Sequence, residues 1–175
     1  SDGYMDDDRL VHETLRSANE FDACCVNYVQ VLKSKFDNKK IIGLDVEDQI
    51  TKDKFSISCD HVISTVGPWT DLVGCDLVEK WNTILRPTKG IHLTLQKDRL
   101  PLTSAVVMAA QKDSRIVFAI PRHEMIIIGT TDTDYSGNPE DATATPEDIR
   151  YLLNITNEYF PGARLTHQDI VSSYV

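Results

Sequence analysis

The sequence predicts a mixed α/β (α+β) fold, with one helix and several strands first and then a mostly antiparallel sheet with one flanking helix. Three observations support this: an amphipathic helical pattern near the start, repeated short runs of β-branched and aromatic residues, and a strongly capped helix late in the chain. Helix and strand segments followed by hairpins are typical of such folds. The composition, 41% hydrophobic and 26% charged over 175 residues, is that of an ordinary globular protein.

The charge balance and the cysteines limit the class of protein. With 18 basic and 27 acidic residues, the net charge of −9 argues against a nucleic-acid-binding module, which needs a basic surface. A small anionic substrate remains compatible with it, because a local pair of cations can outweigh the average field. The four cysteines have no CxxC spacing, and the acidic start has no apolar signal segment, so we expect reduced thiols in the cytosol and no metal site.

The first part of the chain predicts one helix followed by strands. Aspartates at positions 6–8 precede an apolar stripe with helical spacing, and acidic residues suit a helix start. Strand-like runs follow at residues 24–36, 40–50 and 54–66, the last ending at a Gly-Pro turn. The segment that comes next is polar, and we predict the domain boundary in it, between residues 72 and 73.

The second part predicts a sheet of hairpins and one helix. Thr145 as N-cap, Pro146 in the first position and acidic residues in the first turn mark the start of that helix. A final strand-like run, 169–175, either belongs to this domain or returns toward the first. The other strand candidates are residues 84–96, 104–111, 115–121 and 124–131, with hairpin turns at 112–114 and 122–123.

The segment TVGPWTD, residues 65–71, is the first of three polar clusters. A strand there runs into a Gly-Pro turn beside a large aromatic residue. Glycine permits close approach of a ligand, and ligands favour the carboxyl ends of strands in α/β sheets. On residue types alone, a plain strand-ending turn with a packing tryptophan is the commoner explanation.

The segment TKGIH, residues 88–92, is the second cluster. Strand alternation places Ile91 with the apolar face and His92 on the opposite face, beside a glycine that leaves room. A histidine there can accept a proton near neutral pH. Taken alone, a solvated strand histidine is the commoner explanation.

The segment IIGTTDTDY, residues 127–135, is the third cluster, in which an apolar strand runs directly into hydroxyls and carboxylates. From Asp132 onward the sequence imitates the first nine positions of a calcium-binding EF-hand loop. Thr143 occupies the twelfth position in place of glutamate and Pro139 interrupts the loop, so we exclude calcium.

Taken together and in order, the motifs resemble the middle of FAD-dependent glycerol-3-phosphate dehydrogenases, which belong to the D-amino-acid-oxidase-like flavoproteins. The resemblance extends over essentially the whole chain. It rests on DGYMDDDRL, NYVQV, TVGPWTD, TKGIH, IVFAIP, IIGTTDTDY and TPEDIRYLL.

The resemblance implies a function and a domain organisation. Members of this family oxidise glycerol 3-phosphate to dihydroxyacetone phosphate and pass electrons to FAD, then to membrane quinone or to oxygen. Residues 1–72 would be part of an FAD-binding domain and residues 73–175 a substrate or cap domain. A cytoplasmic protein of glycerol metabolism is implied, with any peripheral contact to the inner face of the membrane made by parts outside these residues.

The resemblance also implies site residues. Those beside FAD would be Val29, Thr65, Gly67, Pro68 and Trp69. Residues on the substrate side would be Lys89 and Thr130, with His92, Thr131 and Asp132 facing the flavin ring. We expect His92 to take the hydroxyl proton of the substrate, with Asp132 orienting it or Thr131 forming a hydrogen bond.

The glycine-rich dinucleotide fingerprint GxGxxG of the family does not occur in the sequence. Without that turn and its helix N-terminus the pyrophosphate has no site here. We therefore expect an internal fragment that neither holds FAD tightly nor turns over by itself. Two alternatives stay open, namely another amino- or hydroxy-acid oxidase of the same fold and a non-catalytic binding domain derived from it.

Overall fold

A computed structural model describes residues 3, 5–111 and 113–175, and within them it contains ten β-strands and three α-helices. The chain divides into two compact units, Ser1–Asn82 and Thr83–Val175. The predicted mixed α/β fold class with a mostly antiparallel sheet is confirmed. The assignment of the two parts to cofactor and substrate domains stays a prediction.

The first unit is a three-stranded antiparallel sheet with two helices, and the strands lie in the order β1-β2-β3. Its elements are α1 (Asp7–Glu20), β1 (Val29–Asp37), β2 (Lys40–Asp48), β3 (Lys54–Ser58) and α2 (Thr70–Leu77).

Two predicted strands of the first unit are too long. The first begins only at Val29, because Tyr28 has a left-handed backbone (φ 58°) that a strand cannot continue through. The third ends at Ser58, where its pairing with β2 ends, rather than at Val66. No described strand lies beside residues 60–66, and Ile63 is 88% exposed.

The first unit has little core among its described residues. Its buried apolar side chains are Val46 and Leu77. The amphipathic helix α1 forms where the sequence predicts it, but it buries none of its residues, and Leu10, Val11 and Leu15 are all exposed. The apolar stripe that predicted this helix is therefore uncovered.

The second unit is a five-stranded antiparallel sheet with one long helix. The sheet order is β10-β5-β8-β7-β6, and β4 and β9 form a separate two-stranded pair. The elements are β4 (Thr88–Lys89), β5 (His92–Gln96), β6 (Val106–Ala109), β7 (Ile116–Arg122), β8 (Met125–Gly129), β9 (Thr133–Asp134), α3 (Pro146–Tyr159) and β10 (Ile170–Tyr174).

The hairpin turn predicted at 112–114 includes Lys112, which lies outside the described residues. None of the helices in the described part of the chain is long and apolar enough to cross a membrane.

The two faces of the large sheet differ. One face is a core in which alternate residues of the strands, such as Leu93 and Ile128, pack with Leu152 of α3 at 0% exposure. We call the opposite side the open face. It carries His92, Thr94, Val107, Phe118, Ile120, Ile127 and Tyr174.

The predicted strand 84–96 is interrupted at Gly90 and Ile91. Before the interruption, β4 pairs with the short strand β9, and after it, β5 pairs with β8. A Cβ on Gly90 would overlap the hydroxyl of Thr130, so only glycine fits where the chain changes partner. The sequence pattern does not predict β9, which is two residues long.

The start of α3 confirms the predicted cap. Thr145 accepts a hydrogen bond from the N–H of Asp148, and the Asp148 carboxylate accepts one from the N–H of Thr145 at 3.0 Å, which is a capping box. Pro146 occupies the first helical turn.

An ion pair between Arg99 and Asp169 makes the second unit sensitive to acid. The Arg99 Nε donates to Asp169 at 2.6 Å, and this bond, followed by one from the N–H of Thr166, lowers the pKa of Asp169 to about 2. Because this value lies below the unfolded pKa of about 3.9, the pair stabilises the unit above that pH and is lost as the pH falls toward 2.

We expect Arg99→Leu to lower the free energy of unfolding at neutral pH, by an amount that solvent screening keeps small because the Arg99 side chain is partly exposed. Acid unfolding followed by circular dichroism should then begin at a higher pH than in the parent, whereas Arg150→Leu, at an exposed site on α3, should leave it unchanged. An unchanged acid midpoint in Arg99→Leu would contradict this role of the pair.

Candidate functional site

His92 lies in a row of directly paired residues that crosses the strands on the open face. Tyr174 of β10 and Gly129 of β8 are its direct neighbours on either side, and Phe118 of β7 is the next in the row. The prediction that His92 lies opposite the apolar core face is confirmed, because Ile91 and Leu93 on either side of it are fully buried.

The imidazole of His92 is held between its two neighbours. It stacks on the ring of Tyr174 with centroids 4.7 Å apart and planes 12° from parallel. On the other side it leans over Gly129, where a Cβ would lie 2.9 Å from its Cγ and Nε2 and would overlap its Cδ2. The ring is half-buried, so its orientation is restricted while part of it still reaches the open face.

The segment after β8 ties the neighbouring strands together. Thr131 is buried, and its Oγ1 accepts a hydrogen bond from the N–H of Ile91 at 3.0 Å. Thr130 is half-buried, and its hydroxyl donates to the carbonyl of Thr131 at 2.9 Å. The structure thus brings three of the predicted residues, His92, Thr130 and Thr131, to the same end of β5 and β8.

Asp132 is exposed, and together with Arg86 and Asp134 it forms a charged rim. Next to it, Arg86 donates to Asp134 at 2.6 Å in an exposed ion pair. That hydrogen bond and the charge of Asp134, with a smaller contribution from Asp132, raise the pKa of Arg86. This rim therefore carries both signs of charge beside the hydroxyls.

Lys89 lies on the side of α3 and is buried. Its ammonium donates to the Asp148 carboxylate at 2.7 Å and to the carbonyl of Thr143 at 2.9 Å. Burial opposes ionisation of Asp148, but the bonds from Lys89 and Thr145 outweigh it and hold the pKa of that carboxyl below its usual 3.8. The pair links β4, just before His92, to the first turn of α3.

The predicted cofactor residues all lie in the first unit. Gly67 has φ +55° and begins a short 3₁₀ turn in which Thr70 donates to its carbonyl at 2.6 Å. Trp69 in this turn is 38% exposed, and Thr65 and Pro68 are exposed as well. Val29, half-buried at the start of β1, lies in a different element from the other four.

Three residues that the structure places around the site were missed from the sequence. Tyr174 and Gly129 contact the ring of His92, and Asp148 binds Lys89. The pairing of β10 with β5 decides which tyrosine faces the histidine, and no local motif encodes that register. Within the described residues, no group of three histidines, cysteines or carboxylates could hold a metal ion.

The second unit is an antiparallel sheet with a histidine on its open face, and the first unit of the same chain carries an exposed Gly-Pro-Trp turn. A family model described as FAD dependent oxidoreductase matches residues 1–175. The chain therefore belongs to the FAD-dependent oxidoreductase family, and the resemblance predicted from the motifs is confirmed at that level.

Individual relatives agree with the family match. An alpha-glycerophosphate oxidase from Enterococcus casseliflavus is 39% identical over 98% of this chain, and an aerobic glycerol-3-phosphate dehydrogenase from Staphylococcus saprophyticus is 38% identical over 97%. The solved structure of a glycerol-3-phosphate dehydrogenase from Bacillus halodurans, complexed with FAD, matches 97% of the chain with 34% identity and a TM-score of 0.90.

The match covers only part of each relative. The chain spans 29% of the Enterococcus protein, 30% of the Staphylococcus protein and 34% of the Bacillus chain.

Proposed function

We propose that these residues are part of a flavin-dependent oxidoreductase that oxidises glycerol 3-phosphate to dihydroxyacetone phosphate. The observation that carries the proposal is the held histidine on the open face of a sheet whose fold and family match glycerol-3-phosphate oxidases and dehydrogenases. Quinone or oxygen is the proposed electron acceptor, since relatives of both kinds, an oxidase and a dehydrogenase, match equally well.

The reaction needs a proton acceptor at the substrate hydroxyl. Oxidation of a secondary alcohol removes a hydride equivalent from carbon and a proton from oxygen, and bound FAD would supply the acceptor for the hydride. We assign the proton to His92, whose neutral imidazole can accept it near neutral pH. Thr131 holds the strand at Ile91, and Asp132 offers an exposed carboxylate at the same end of the sheet.

We propose that Lys89 and Thr130 lie on the substrate side of the site. The Lys89 ammonium donates to Thr143, just before α3, and to Asp148 in its first turn, so we propose that Lys89 acts on the substrate by fixing the strand before His92. Thr130 is half-buried and follows Gly129, which is paired with His92. We propose that the backbone of Thr130 contacts a small polar ligand there.

The turn at residues 67–69 fits contact with a cofactor. An added Cβ on Gly67 would meet no atom within 4 Å, and the indole of Trp69 is partly exposed, so a flat ligand can approach both. Thr65, Pro68 and Val29 are the other proposed neighbours of FAD. The uncovered stripe of α1 and the exposed Ile63 support the proposal that this unit is part of a larger cofactor domain.

An isolated 175-residue chain is expected not to hold FAD tightly, because the glycine-rich turn that binds pyrophosphate does not occur in it. The chain should be purified after incubation with excess FAD, and its absorbance spectrum compared with that of the buffer. A yellow chain with the spectrum of bound flavin would contradict the prediction.

We propose a cytoplasmic location and a role in glycerol metabolism. The four cysteines are free thiols, and three of them are exposed, which suits a reducing compartment. Peripheral contact with a membrane is proposed for parts outside these residues.

Dye reduction by the longer protein that contains these residues tests the function. Glycerol 3-phosphate should support reduction of an artificial electron acceptor, and D-amino acids and 2-hydroxy acids should not. Activity with an amino or hydroxy acid alone would favour another oxidase of the same fold. Absence of both activity and bound flavin would favour a binding domain without catalysis.

A further inference from the structure

We propose that Tyr174 and Gly129 are positioning residues that together fix the orientation of the His92 imidazole. The inference rests on the proposed function in one respect, namely that His92 takes the substrate proton. The holding of the ring is a separate claim about the structure, and it can be tested without turnover.

The register of the sheet gives His92 a direct neighbour on each side. β5 lies between β10 and β8, and Tyr174 and Gly129 are both paired directly with His92. Directly opposed residues in an antiparallel pair carry side chains on the same face about 5 Å apart. The ring of His92 can therefore have close neighbours on two sides, and the identity of those neighbours decides how it lies.

The absence of a side chain at Gly129 leaves room for the ring of His92. Gly129 has no side chain, and the ring of His92 fills the space where one would be. An aromatic ring lying over a cross-strand glycine is a recognised means of stabilising such a glycine in a sheet. Any larger residue at 129 would push the imidazole away.

The stack of the His92 ring on Tyr174 restricts the imidazole on its other side. Planes within 12° of parallel at 4.7 Å between centroids leave the imidazole little freedom to turn about its Cβ–Cγ bond. Such ring contacts add to the stabilisation from buried area, and they favour one orientation of the ring by roughly several-fold. Tyr174 is 46% exposed, so a role in the core of the unit does not account for its position.

The arrangement predicts an effect on turnover rather than on affinity. A base must lie within hydrogen-bond reach of the proton that it takes, and small errors in position reduce rates by large factors. Tyr174→Leu should lower kcat about tenfold with little change in KM, whereas Tyr174→Phe, which keeps the ring, should stay within about twofold of the parent. Gly129→Ala should lower kcat by on the order of 100-fold.

The test uses the longer flavoprotein with histidines labelled with ¹³C in the ring, and the signal of His92 is identified by its loss in His92→Gln. A ring stacked on a tyrosine shows protons shifted upfield. This shift should disappear in Tyr174→Leu and persist in Tyr174→Phe. Val171→Ala, an exposed change on the same strand, is the control and should alter neither the signal nor kcat.

The outcomes separate the two claims. An upfield shift that Tyr174→Leu leaves unchanged would overturn the positioning role, whatever the activity. A shift that disappears in Tyr174→Leu, in a protein that does not oxidise glycerol 3-phosphate, would support the positioning role and refute the proposed function. A Tyr174→Phe variant as slow as Tyr174→Leu would also overturn the proposal, because the ring would then not be the cause.

Discussion

Replacing His92 with alanine in the longer protein is expected to lower turnover with glycerol 3-phosphate at least ~100-fold. The substitution removes the imidazole between Tyr174 and Gly129 and leaves no imidazole in that row of the open face. Because the hydroxyl proton must leave as the carbon is oxidised, the loss should appear in kcat measured by dye reduction.

A matched histidine provides the control. His123 is exposed in the turn between β7 and β8 and has a left-handed backbone (φ 54°), which asparagine also accepts. His123→Asn should therefore retain parental kcat and KM. If His92→Ala raises KM but leaves kcat unchanged, His92 binds substrate and does not take the proton.

Replacing Lys89 with methionine is expected to destabilise the second unit by about 3 kcal/mol. The side chains of Lys89 and Asp148 are each only 7% exposed, so the change would leave a buried carboxylate without its counter-ion. Amide hydrogen exchange in peptides that cover α3 measures the local free energy of opening. Lys97→Met, at an exposed lysine, should change it by no more than about 0.5 kcal/mol.

The pH dependence of the Lys89→Met variant identifies the cause. In the parent the pKa of Asp148 is lowered in the folded unit, so the pair stabilises the unit above the unfolded pKa. This stabilisation is lost as the pH falls through the lower, folded pKa. In the variant, burial raises the pKa of Asp148 because the lysine no longer opposes it. Protonation of Asp148 at acidic pH should then reduce the loss of unfolding free energy relative to the parent. Adding Asp148→Asn to Lys89→Met should also recover part of the loss. A deficit below about 1 kcal/mol, or one independent of pH, would contradict the importance of the pair.

Local features were predictable from the sequence because their physics is local. The cap of α3 depends on residues three positions apart, and the structure contains the capping box at the predicted place. The alternation around His92 was likewise readable, since side chains in a strand point to opposite faces in turn.

Features that depend on distant partners were not predictable in the same way. Lys89 and Asp148 are 59 positions apart, and nothing near Lys89 shows that its ammonium is buried. Tyr174 faces His92 only because β10 joins the edge of the sheet beside β5 in one register. The predicted strand at 54–66 is cut short because a β-branched run shows a preference for strands but not whether a neighbouring strand exists.

Anaerobic mixing of the longer protein with glycerol 3-phosphate tests the central claim most directly, because it follows the flavin absorbance without any added electron acceptor. We predict that the bound flavin is bleached completely, that dihydroxyacetone phosphate forms in an amount equal to the flavin, and that the same bleaching in His92→Ala is at least ~100-fold slower. A flavin that stays oxidised in the presence of saturating glycerol 3-phosphate would contradict the account.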